Sequence, residues 1–143
     1  MPLDALFSFA NLAVLPGWLL IAVAPRWRWS QRYAALVVPM LLGPLYAWLL
    51  VTNWGSGGGF GTLDEVAQLF QNRAVLLGGW IHYLIFDLFT GAWESRDAVA
   101  HGIPRWAVAP CLVFTFLLGP VGLGLYLLVR VAWRRHLDPY EAR

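Results

Sequence analysis

An aspartate and a histidine sit inside a run otherwise apolar enough to cross a bilayer: Trp80-Ile81-His82-Tyr83-Leu84-Ile85-Phe86-Asp87-Leu88-Phe89. A carboxylate at mid-membrane depth costs about 2.5–3.5 kcal/mol on insertion scales, so it needs a compensating role or a partner. The chemistry it offers is proton transfer as a general acid or base. Histidine offers the same, or a ligand bond. Both residues also have structural readings, a buried hydrogen bond for Asp87 and a satisfied polar anchor for His82. At about 100° per residue their side chains diverge by roughly 140°, so one helix cannot stack them as a dyad. If both act, they flank a pocket or use partners on other helices.

The same geometry puts Trp80, Tyr83, Asp87 and Glu94 on one face, and His82, Phe86, Phe89 and Trp93 on another. Neutral partners are available on the other apolar runs, namely Asn11, Tyr46 and Thr115. Trp18, Trp48 and Trp80 lie within runs and are candidates for lining an elongated apolar cavity, although packing or lipid contact would also explain them. The other tryptophans fall at run ends, where amphipathic rings anchor at the headgroup level. Asp87 and His82 are therefore the catalytic candidates. Trp80, Tyr83, Asn11, Trp18, Tyr46, Phe86, Glu94 and Thr115 are candidates for substrate contact.

The elements that must position these residues follow from composition. Of 143 residues 59% are hydrophobic and 13% charged, where a soluble domain would carry about 25% charged residues. A span needs about 20 mainly apolar residues, and four runs qualify: 5–24, 33–52, 74–93 and 106–130. They are long and do not alternate with period two, which makes them helices. The expectation is a single all-α domain over residues 1–143, an integral membrane four-helix bundle. Proline beside glycine at Pro16-Gly17, Gly43-Pro44 and Gly119-Pro120 should bend the spans and leave room between them. The Gly-rich stretch from Asn53 to Thr62 lacks a Lys-Ser/Thr ending and follows no strand, so it reads as a connector rather than a phosphate loop. Thr62-Leu63-Asp64-Glu65 is a capping box. It opens a short interfacial helix, to about Arg73, before the third span.

Several functions are excluded or left without support. All ten basic residues are Arg, and without a lysine there is no retinylidene Schiff base. No basic run is long enough for nucleic acid. Cys111 stands alone and cannot form an internal disulfide. His101 and His136 lie outside the spans and on opposite sides of a four-span topology, so no histidine cluster converges on a metal. No cofactor is expected, and a haem held by His82 alone has no further support. An even span count puts both termini on one side, and the arginines divide equally between the two sides, which leaves the positive-inside rule undecided. The tight loop from Pro25 to Arg32 favours termini outside. The amino-terminal flank carries no positive charge, and its apolar run exceeds a signal h-region, so the first span should be retained. The absence of a transit-like leader points to a multi-pass protein of a bacterial inner membrane.

Trp80-x-His82-x-Leu84-x-x-Asp87-Leu88-Phe89, followed by Pro110-Cys111-Leu112 and Gly119-Pro120-x-Gly122, resembles the abscisic-acid-deficient-four-like family of small four-helix membrane proteins. The resemblance runs from about Leu63 to Arg130. It implies a carotenoid or apocarotenoid isomerase, because in plants that family is linked to neoxanthin synthesis, the isomerisation of an epoxide to an allenic alcohol. The family's polar motif falls on His82 and Asp87. The implied partners are a polyene lipid substrate and the bilayer. A non-catalytic carotenoid- or lipid-binding subunit is the alternative reading.

Overall fold

The computed structural model describes residues 2–134. Backbone amides in hydrocarbon must be satisfied within their own segment, and every long apolar run is helical. The described residues form six helices and no strand: α1 Leu3–Val23, α2 Arg28–Thr52, α3 Leu63–Leu69, α4 Arg73–Ala100, α5 Arg105–Leu118 and α6 Pro120–Arg134. α1, α2 and α4 are long and apolar enough to cross a membrane, with 21, 25 and 28 residues. At about 1.5 Å per residue each exceeds a hydrocarbon core of about 30 Å.

The fourth run, 106–130, does not form one helix. α5 ends at Leu118, and Gly119 takes φ +42°, a left-handed conformation that L side chains rarely adopt. Pro120 then opens α6, which runs back along α5. The Trp106 and Trp133 rings are 6.0 Å apart between centroids, whereas 27 residues of straight helix would separate them by roughly 40 Å. The hairpin closes tightly, since a Cβ at Gly122 would strike the Thr115 amide and hydroxyl. Each arm has 14 or 15 residues, about 21–23 Å, too short to span. The expected four-span bundle is replaced among the described residues by three long helices and a re-entrant hairpin.

Topology changes with it. Arg73 donates to Asp4 at 2.8 Å, which puts the start of α1 beside the start of α4. Trp133 lies beside Trp106, near the other end of α4. The ends of the described chain therefore lie at opposite ends of α4, not on one side as an even span count requires. His136, Arg135 and Arg143 lie outside the described residues.

α4 is the axis on which the rest packs. Leu77, Ile81, Leu84, Leu88 and Ala92 form its buried stripe. Polar pins add to this apolar packing: Ser95 donates to the Ile21 carbonyl at 2.8 Å, and Tyr33 to the Ala13 carbonyl at 2.9 Å. Pro16 and Pro44 remain inside continuous helices, so glycine beside proline breaks the chain only at Gly119-Pro120. In α2, Pro39 has no N–H for the Ala35 carbonyl. Just ahead of it the ladder slips to a π turn over Tyr33–Val37.

The capping box forms with a one-residue shift. Thr62 Oγ1 accepts from the Glu65 amide at 3.2 Å, while Glu65 Oε2 accepts from the Gly61 amide at 2.9 Å. α3 stops at Leu69 rather than near Arg73, because Asn72 starts a new helix: its Oδ1 accepts from the Ala74 amide at 2.9 Å.

Candidate functional site

Asp87 lies midway along α4, about 21 Å from the first residue of that helix. It meets the tip of the hairpin, where a Cβ on Gly119 would sit 2.7 Å from Asp87 Oδ1. Glycine is required there by both backbone angle and proximity. Asp87 Oδ2 is buried with no hydrogen-bond partner. Tyr83, one turn earlier, is close enough to interact with Asp87 electrostatically. Its hydroxyl donates to the Phe116 carbonyl at 3.1 Å, satisfying one of the orphan acceptors at the end of α5.

Three cavities run in line along α1. The first, about 240 Å³, lies between α1 and α4 from Leu3 and Arg73 to Trp80. The second, about 170 Å³, shares Trp80 with the first and is bounded by Asn11, Val14 and Leu15 of α1, Tyr83 and Leu84 of α4, and Phe116 and Leu117 of α5. The third, about 330 Å³, shares Leu15 and Phe116 with the second and continues past Trp18 to Leu19. Together they follow α1 from Leu3 to Leu19, roughly 24 Å of groove. Its walls are mainly apolar, with the Asp4–Arg73 pair at the first cavity and Asn11 and Tyr83 at the second. Tyr83 faces the middle of the groove, with Asp87 one turn behind it and not on the lining.

The structure divides the sequence-predicted residues into separate groups. Trp80 Nε1 donates to Asn11 Oδ1 at 3.2 Å, and the Trp80 and Tyr83 rings lie 5.2 Å apart, so these three gather on the groove. Trp18 is buried and meets Phe116 edge-on at 5.4 Å, where it lines the third cavity. Thr115 Oγ1 donates to Glu94 Oε1 and Oε2 at 2.9 and 3.0 Å, both side chains fully buried. This pair ties the hairpin to α4 away from the groove lining. His82 is exposed, stacked on Phe86 at 4.5 Å and 5.7 Å from Tyr46. That trio sits on another face of α4, so the structure does not bring His82 and Asp87 together.

Toward the far end of α4 lies a second polar centre, for which sequence reasoning missed the partners that the hairpin brings to Asp97. Arg130 Nε donates to Asp97 Oδ2 at 2.7 Å, and Tyr126 Oη donates to the same oxygen at 2.6 Å. Arg130 Nη2 lies 3.0 Å from His101 Nε2. Guanidinium can only donate, so Nε2 accepts and the proton is on Nδ1, which faces the Asp97 carbonyl at 2.8 Å. Asp97, Arg130 and Tyr126 are buried. The available signal was spacing, since Asp97/His101 and Tyr126/Arg130 each lie at i, i+4 and present one face. A straight fourth span concealed it by carrying Arg130 to the opposite side.

Comparison with known proteins agrees with the motif. A family described as ABA DEFICIENT 4-like matches residues 5–126. The chain is 31% identical over 131 residues to Protein ABA DEFICIENT 4, chloroplastic, of Arabidopsis thaliana; the match covers 84% of this chain and 58% of that relative. The chain thus spans little more than half the length of that protein. The relative's compartment lends no support to a bacterial inner membrane. No solved structure is significantly similar.

Proposed function

The chain belongs to the ABA DEFICIENT 4-like family, and we propose on that footing that it is a membrane-embedded isomerase of a carotenoid or apocarotenoid. The observation that carries the reading is Tyr83 on the lining of the middle cleft, with Asp87 one turn behind it and one of its carboxylate oxygens buried and unpartnered. A groove of this length and lining suits a long, flat, apolar ligand held by hydrophobic contact and oriented by few polar groups. It runs between helices that face lipid, so such a ligand can enter from the bilayer.

Isomerisation asks little beyond these residues. In epoxide opening to an allenic alcohol, the epoxide C–O bond breaks as its oxygen takes a proton. A polyene C–H bond breaks as a base takes that hydrogen, and the freed electron pair becomes the new double bond. One proton is given and one taken, the formula is unchanged, and no electron acceptor enters. Tyr83 faces the ligand and can hand over or receive the proton, while Asp87 behind it can exchange that proton with the phenol. Cis/trans isomerisation would use the same pair to protonate the polyene transiently or to stabilise its cation. Exclusion of water by the apolar walls strengthens either interaction.

The groove by itself also serves a binding subunit, and one experiment separates the two readings. Purified protein is incubated with epoxy-carotenoids and with shorter polyene aldehydes, and the extract is chromatographed with mass detection. A product of unchanged mass and altered retention is the expected result. Polyenes that co-purify without change would overturn catalysis and leave the binding role.

A further inference from the structure

We propose that the end of the molecule formed by the α1–α2 loop, the end of α4 and the start of α5 is a docking surface for the anionic headgroups of one lipid leaflet. This inference is independent of the isomerase reading. It follows from the hairpin, which removes the tie that a four-span count leaves.

Ser95 bonds to the Ile21 carbonyl, and Pro25 and Arg105 line one cavity with Ala98 and Ile103. The α1–α2 loop, the end of α4 and the start of α5 therefore share one end of the molecule. Arg26, Arg28, Arg32, Arg96 and Arg105 are all exposed there. Among the described residues, the carboxylates on the elements that meet there, Glu94 and Asp97, are buried and already bonded to Thr115, Tyr126 and Arg130. The opposite end exposes Asp4, Asp64 and Glu65, and its arginine, Arg73, is paired with Asp4. Among the described residues, surface charge is thus polarised between the two ends of α4.

The basic end is also built for a headgroup layer. Trp27, Trp29, Trp106 and Trp133 are 46–72% exposed there, as interfacial rings are. The Arg28 and Arg32 guanidinium carbons lie 5.7 and 5.2 Å from the centre of the Trp29 ring, so the ring helps to position both. Guanidinium groups bind phosphate in a two-pronged fashion that ammonium groups cannot match. The positive-inside rule then orients the chain. The arginine end faces the compartment of synthesis, and the start of α1 and the loop carrying α3 face the other side.

The test uses the full chain in neutral detergent, titrated with phosphatidylglycerol or phosphatidylcholine and read by native mass spectrometry as lipids retained per protein. Phosphatidylglycerol should be retained in preference. That preference should fall by roughly 10²-fold in R26Q/R28Q/R32Q, fall with added salt, weaken by less in R28K/R32K, which keeps the charge but loses the two-pronged geometry, and persist in Arg73→Gln. Equal retention of the two lipids, or a preference that salt leaves unchanged, would overturn the proposal even if the triple variant fails to fold. A preference lost equally in Arg73→Gln would overturn the assignment to this end.

Discussion

Asp87 and Asp97 lie ten residues apart on α4 and both meet the re-entrant hairpin, yet they live in opposite circumstances. Asp97 is bonded by Tyr126 and Arg130 and flanked by His101. Asp87 meets the bare backbone of Gly119 and leaves a buried oxygen without a partner. A buried polar group is normally satisfied, and the exceptions call for an explanation. At Asp97 the hairpin repays the cost of burial, whereas at Asp87 it encloses the carboxyl without repaying it. The first arrangement builds a structure, and the second is the one on which the proposed chemistry rests.

That contrast can be broken at several points. Asp97→Ala should have the largest effect on the fold, because it leaves the Arg130 guanidinium buried without its carboxylate. Removing one partner of such a pair costs about 3–5 kcal/mol, to be read as a lowered melting temperature and poor yield in detergent. Gly119→Ala comes next. It forces an L residue to φ +42° and pushes a methyl against Asp87, at about 1–3 kcal/mol of backbone strain. Its thermal melt should fall less than that of Asp97→Ala. Trp80→Ala removes the ring shared by two cavities and the bond to Asn11. Polyene retention should weaken by about 0.5–1.5 kcal/mol, measured by absorbance of the co-purified pigment, with the fold intact. His82→Ala should do least. The ring is exposed and outside the groove, so a change within about 0.5 kcal/mol is expected, with turnover retained. A large loss of turnover in a stable His82→Ala protein would move the acid/base centre to the face shared with Tyr46.

The sequence makes the long helices legible because hydropathy and length decide them: 5–24, 33–52 and 74–93 fall within α1, α2 and α4, apart from Ala24 at the end of α1. The hairpin in the fourth run is not legible for a specific reason. A run of 25 apolar residues satisfies the length criterion whether it is straight or folded in half, and Gly119-Pro120 has the same composition as Gly43-Pro44, which lies in a continuous helix. Only the left-handed backbone at Gly119 and the close approach of Gly122 to Thr115 tell them apart. The apolar run of the third span stops at Trp93, where Glu94, Arg96 and Asp97 follow. The hairpin buries Glu94 and Asp97 and carries the helix on to Ala100. Trp80, Tyr83 and Asp87 are legible as one face from helical phase, with Asn11 as one of three neutral partners; Glu94, on that same face by phase, instead bonds Thr115 away from the groove. The Asp97 centre was not, because its partners come from a chain reversal that periodicity does not encode.

The central claim is that Asp87 is held for chemistry and not for the fold, and Asp87→Asn tests it most directly, with product formation and thermal stability measured on one preparation. The amide is nearly isosteric with the acid and cheaper to bury, and the enclosed Oδ2 has no hydrogen-bond partner to lose. The expected result is an unchanged melting temperature with turnover lowered by about 10²–10⁴-fold, the usual span for general acid–base catalysis. The contradicting result is a stable Asp87→Asn protein with full activity.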